Sequence, residues 1–199
     1  MASMMLAEAQ SAAECVARLL AQDESRYVDL GAHLRATPLH SALTVARGSS
    51  DHAAGYCAYL VMARLGQVVA SLPMSLVTLS QSPLITRHTL TLAISQSGQS
   101  PDVVAPVRYF RAGGATTVAL VNQADSPLAQ AAEWTLPLHA GTEHSVAATK
   151  SFINSLVASA RLVGHWQGDA QLLDSLARLP QALAAAARAD WSPAIEALA

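Results

Sequence analysis

Apolar positions recur at helical spacing through the first twenty residues (Leu6, Ala9, Ala13, Val16, Leu19, Leu20), which predicts an opening helix over Leu6 to Leu20. A second short helix is expected over Tyr27 to Leu34. The pattern then alternates. Ala42 to Ala46 is a short β-prone run, Arg47-Gly48-Ser49-Ser50 a small polar loop, Asp51 to Leu65 a helix and Gln67 to Ala70 a second strand. The next unit repeats this order: strand Thr89 to Ile94, loop Ser95 to Ser100, helix Pro101 to Arg111, then Gly113-Gly114, suited to a left-handed helix end. Ala115 to Val121 and Trp134 to Leu138 read as strands. A long helix is expected from Val146 to Trp166, and another from Ala170 to Arg188, broken near Pro180. Strands alternating with helices imply an α/β fold with a parallel sheet covered on both faces.

Composition narrows the partners. The chain has 199 residues, 52% hydrophobic, enough for one sizeable domain. Only 13% are charged, and Lys150 is the single lysine. Two readings fit: a surface partly covered by another subunit or domain, or an alanine-rich composition that uses arginine for lysine. Net charge is −2 and no basic run occurs, which argues against nucleic acid. No apolar stretch is long enough to span a membrane, and residues 1 to 5 do not resemble a signal peptide. Cys15 and Cys57 are isolated, without metal-ligand spacing, as expected for a reduced cytoplasmic protein without a bound metal or cofactor.

Three segments could carry chemistry. Ser95-Gln96-Ser97-Gly98-Gln99-Ser100 joins a strand to a helix opened by Pro101, at the carboxyl edge of the sheet where α/β proteins bind ligands. Its hydroxyls and amides, with the helix N-terminus, could cradle a phosphate. The alternative is a turn capped by Ser100, with no ligand. Gly48-Ser49-Ser50 repeats the same grammar, and there Ser49 or Ser50 could simply cap the following helix. Ala140 to Lys150 holds Glu143, His144 and Lys150, either a proton-transfer group or a helix start with Glu143 on the dipole and Lys150 solvated. His52 reads as a surface residue.

In matching order, Ala46-Arg47-Gly48-Ser49-Ser50-Asp51-His52-Ala53, Ile94-Ser95-Gln96-Ser97-Gly98-Gln99-Ser100-Pro101-Asp102 and Ala140 through Phe152 resemble the SIS (sugar isomerase) family, in particular the isomerase halves of glucosamine-6-phosphate synthases. The resemblance implies a three-layer sandwich with a five-stranded parallel sheet flanked by helices, and a homodimer or a second SIS domain as partner. It implies a sugar phosphate held by Ser50, Ser95, Gln96, Ser97 and Ser100, with Gly48, Ser49, Val146 and Ala148 along the sugar. Two positions depart from the family pattern, which commonly has threonine at 100 and serine at 148. The family's catalytic glutamate, with its lysine and histidine, belongs to a second SIS domain with no counterpart here, so Glu143, His144 and Lys150 are the only catalytic candidates. An amidotransferase cysteine is also absent, since residue 2 is alanine.

The expected organisation is N-terminal helices over 1–35, an SIS domain over 36–190, and over 191–199 a linker or the start of a further SIS domain. The expected role is to hold a hexose or amino-sugar 6-phosphate in an isomerase, aminotransferase or deaminase. The alternative is a non-catalytic sensing or dimerisation module.

Overall fold

A computed structural model describes residues 3–198. Three helices, α1 (Met4–Gln10), α2 (Ala12–Ala21) and α3 (Glu24–Ala36), precede the first strand, β1 (Ser41–Val45). The chain continues through α4 (Ser49–Leu65), β2 (Val69–Ser71), the single turn α5 (Ser75–Thr78), β3 (Thr89–Ser95), α6 (Pro101–Ala112), β4 (Thr116–Val121), α7 (Pro127–Ala131) and β5 (Trp134–Pro137). It ends with α8 (Lys150–Gln167), α9 (Ala170–Ala177), α10 (Leu179–Arg188) and α11 (Ser192–Leu198).

The five strands are all parallel, in the order β2-β1-β3-β4-β5. Period-two alternation divides their side chains between two cores. Leu90, Leu92 and Ile94 of β3, with Val118 and Leu120 of β4, face α2, α3, α4 and α8. Ala93, Ala119 and Val121 face α6 and α7. Every residue of β3 and β4 is buried, the signature of central strands covered on both sides. The result is the expected α/β three-layer sandwich with a five-stranded parallel sheet.

Several boundaries differ from expectation, each for a local reason. The opening helix is two helices, because Ser11 Oγ donates to the Glu8 carbonyl (2.8 Å) and competes with the helical ladder. On α1 the apolar Met4, Met5 and Leu6 are exposed, and Glu8 is the buried residue. The last long helix breaks at Arg178, ahead of Pro180, because Pro180 has no N–H to continue the helical ladder and its ring crowds the preceding turn, whereas it fits the first turn of α10. Most consequential, the helix expected from Val146 begins only at Lys150, leaving residues 140–149 as an irregular loop. Glu143 folds under that loop and supplies the acceptor for the helix start, so the chain before Thr149 is not drawn into the helix.

Candidate functional site

The strand order reverses between β1 and β3. From β1 the chain crosses through α4 to β2 on one side, and from β3 through α6 to β4 on the other. The two helices lie on opposite faces, so their N-termini part above the carboxyl ends of β1 and β3 and leave a crevice. Open α/β sheets place ligands at this switch point.

Two helix starts face that crevice. At α4 the N-cap is Gly48, with φ +57° and ψ −134°, a backbone region that side-chain-bearing residues avoid. Ser49 and Ser50 therefore lie inside the helix, and neither caps it. At α6 the N-cap is Ser100, whose carbonyl accepts from the Val103 and Val104 amides (both 3.0 Å). Its hydroxyl makes no capping bond. Both helices thus present first-turn N–H groups without a side-chain acceptor.

The loop between β3 and α6 is shaped by its own serines. Ser95 Oγ accepts from the Gly98 amide (3.0 Å), and Ser97 Oγ from the Gln99 amide (3.3 Å). Each hydroxyl keeps its proton free to donate. The missing side chain of Gly98 serves packing. A Cβ there would lie 2.7 Å from Ser126 Cβ and 2.9 Å from Val121 Cγ2, and its φ is +63°. Ser126 in turn caps α7 through the Ala129 amide (3.3 Å).

The third segment, residues 140–149, is built from outside. Asn122, just beyond β4, grips its start: Oδ1 accepts from the Ala140 amide and Nδ2 donates to the Gly141 carbonyl, both at 2.8 Å. Glu143 accepts from the Thr149 amide (3.1 Å), Thr149 Oγ1 (3.0 Å), the Ser151 amide (3.1 Å) and Ser151 Oγ. Partial burial pushes this carboxyl up, but the donors from Ser151 and Thr149 outweigh it and hold the group below its ordinary range. The Glu8 carboxylate accepts from the His144 (2.6 Å) and Ser145 (3.2 Å) amides.

These elements enclose a cavity of about 200 Å³ lined by Arg47, Ser49, Ser50, Gln96, Glu143, Ser145, Val146 and Ala148. All three segments named from the sequence therefore meet at one place. Ser95, Ser97 and Ser100 share the loop of Gln96 without lining this cavity, and neither His144 nor Lys150 lines it. His144 is exposed, and Lys150 opens α8. His52 is exposed on α4, as expected.

Arg47 and Ser145 were not singled out from the sequence. Arg47 forms an ion pair with Asp102 in the first turn of α6, tying the first loop to the second. Its position beside the Gly48 loop was the available signal. The Ser145 hydroxyl is buried without a hydrogen-bond partner, which no sequence pattern announces. Among the described residues no group of three or more His, Cys, Asp or Glu side chains could hold a metal ion. Among them, too, no helix is long and apolar enough to cross a membrane.

With this geometry in place, the family follows. The SIS domain model matches residues 38–163, and the chain belongs to the SIS domain family. A glutamine–fructose-6-phosphate aminotransferase (isomerizing) from Symbiobacterium thermophilum is 35% identical over 130 residues, covering 65% of this chain and 21% of the relative. An enzyme of the same name from Thermus thermophilus is 32% identical over 174 residues, covering 80% of this chain and 28% of the relative. The chain thus spans between a fifth and a third of the length of these relatives. The crystal structure of a proposed phosphosugar isomerase from Silicibacter pomeroyi DSS-3 superposes with a TM-score of 0.92 at 43% identity, over 96% of this chain and 58% of that one.

Proposed function

We propose that this chain holds a hexose or amino-sugar 6-phosphate in the crevice above β1 and β3. The phosphate is bound by Ser50, Ser95, Gln96, Ser97 and Ser100, and the sugar lies along Gly48, Ser49, Val146 and Ala148. The observation that carries this reading is the convergence of the three loops on one cavity between two helix N-termini that lack a side-chain cap. A phosphate dianion matches those donors in charge and geometry. Arg47 adds a cation, partly offset by Asp102.

In this proposal the chain acts as the first SIS domain of an isomerase, aminotransferase or deaminase, paired with a second SIS domain or a second copy. Two buried, unpaired cysteines suit a reduced, cytoplasmic setting. A second reading, binding without turnover, is favoured by one observation: the Glu143 carboxylate is committed to the start of α8 and is a poor proton acceptor there. Proton transfer between C1 and C2 then depends on groups from outside this chain.

The test is thermal stabilisation by fructose 6-phosphate and glucosamine 6-phosphate, against fructose, glucosamine and inorganic phosphate. A ligand at a hundred times its Kd contributes about 2.7 kcal/mol. We expect a shift with the sugar phosphates that exceeds those with the separate halves. No shift at millimolar sugar phosphate overturns the reading. Exchange of the sugar C2 proton then separates enzyme from sensor, and the chain alone is expected to exchange little.

A further inference from the structure

The N-terminal helix α1 inverts the usual rule for an amphipathic surface helix. Its apolar residues Met4, Met5 and Leu6 are 59%, 49% and 50% exposed, whereas Glu8 is 7% exposed. A carboxylate is rarely buried unless it satisfies donors that have no better partner. Here the donors are the backbone amides of His144 and Ser145. Ser145 lines the candidate cavity, and Glu143, Val146 and Ala148 on either side line it too. Glu8 itself does not.

We propose that Glu8 is a positioning residue for this site, holding the 143–146 backbone in its ligand-ready shape from a helix more than a hundred residues away in sequence. The inference rests on the sugar-phosphate reading given above. The loop is then held by two carboxylates: Glu143 fastens it to the start of α8, and Glu8 fastens its middle to α1. Neither contact involves a ligand directly. Glu8 fixes the backbone from which Ser145, Val146 and Ala148 project. The His144 amide, above all, and then the donors of Ser145 hold the Glu8 carboxyl below its ordinary range against the opposing effect of burial, so the clamp is ionised at neutral pH.

The experiment uses the full chain with Glu8→Gln and Glu8→Ala. Three quantities are measured: hydrogen exchange at the His144 and Ser145 amides, the Kd for fructose 6-phosphate and glucosamine 6-phosphate, and rescue of both by acetate with chloride at equal ionic strength as control. A loop that is only fractionally competent weakens apparent affinity by that fraction. We expect E8A to raise exchange at both amides and to weaken sugar-phosphate binding roughly tenfold. E8Q, which keeps one acceptor oxygen, should be intermediate. Acetate should restore E8A, because a free carboxylate can occupy the two vacated amides, and chloride should not. Loss of stability alone would not be reversed in that anion-specific way. Unchanged exchange in E8A, or raised exchange with unchanged Kd, overturns the proposal. If wild-type protein binds neither sugar phosphate, the functional reading fails while the exchange and acetate measurements still decide whether Glu8 holds the loop.

Discussion

Two of the loops at the crevice are made in opposite ways. The 95–100 loop is shaped largely by its own residues, with Ser95 and Ser97 each accepting from an amide two or three positions ahead, and the Gly98 carbonyl also accepts from the Leu128 amide (3.1 Å). The 140–149 loop takes its shape from Asn122 and Glu8, which come from other parts of the chain, and from Glu143, which reaches forward to α8. A self-shaped loop is rigid wherever its strand and helix are in place. A loop held from a distance is only as ordered as its holders, so it can respond to events elsewhere in the molecule. One crevice thus combines a fixed wall with an adjustable one.

The sharpest way to break the fixed wall is Gly98→Ala. The new Cβ meets Ser126 and Val121 at a positive φ, so overpacking and backbone strain act together. We expect a loss of about 2–4 kcal/mol in chemical denaturation. The Ser126 cap of α7 should be disturbed as well. An unchanged midpoint would mean that the loop yields easily and is not fixed.

On the adjustable wall, Glu143→Ala removes four hydrogen bonds at the start of α8 and should cost about 1–3 kcal/mol of stability. It should also weaken sugar-phosphate binding. Glu143→Gln, which retains an acceptor for the Thr149 and Ser151 amides, should restore most of both. If Glu143 instead served as a base, E143Q would abolish turnover while leaving binding intact.

The same contrast explains how much the sequence disclosed. The strands, the α6 start and the 95–100 loop were legible, because hydrophobic period and local turn chemistry act over a few residues, whereas α4 begins two residues before the expected Asp51 because Gly48 is its N-cap. The start of α8 was misplaced at Val146 because the acceptor that sets it is a side chain folded back from position 143. Arg47, Asn122 and Glu8 share the same obscurity: each acts on a partner 18 or more residues away. Glu8 was hidden further, since a charged residue beside Leu6 and Ala9 reads as the solvent face of a helix. The packing of Gly98 against Ser126 could not be named without the fold.

Ser97→Ala probes ligand contact on the fixed wall without touching its packing. The hydroxyl accepts only one bond of 3.3 Å within the loop, so stability should change by less than about 1 kcal/mol. If its proton meets a charged phosphate oxygen, affinity should fall by about 1–3 kcal/mol. Equal affinity for sugar phosphate in S97A would remove Ser97 from the phosphate set, while leaving the rest of the crevice as it stands.

The mildest perturbation is pH. The Glu143 carboxyl is held below its ordinary value of 4.5 in the folded chain by its Ser151 and Thr149 donors, despite the opposing effect of burial. A group whose pKa is lowered by folding adds stability above its unfolded value and loses that contribution as pH falls through the folded one. The stability difference between wild type and E143Q should therefore be constant from neutral pH down to about 5 and shrink below 4.5. Over the same range the G98A deficit should change little, because the side chains that its Cβ meets, Ser126 and Val121, do not titrate. A Glu143 difference that persisted unchanged into strong acid would show that neutral hydrogen bonds, rather than the carboxylate charge, hold the adjustable wall.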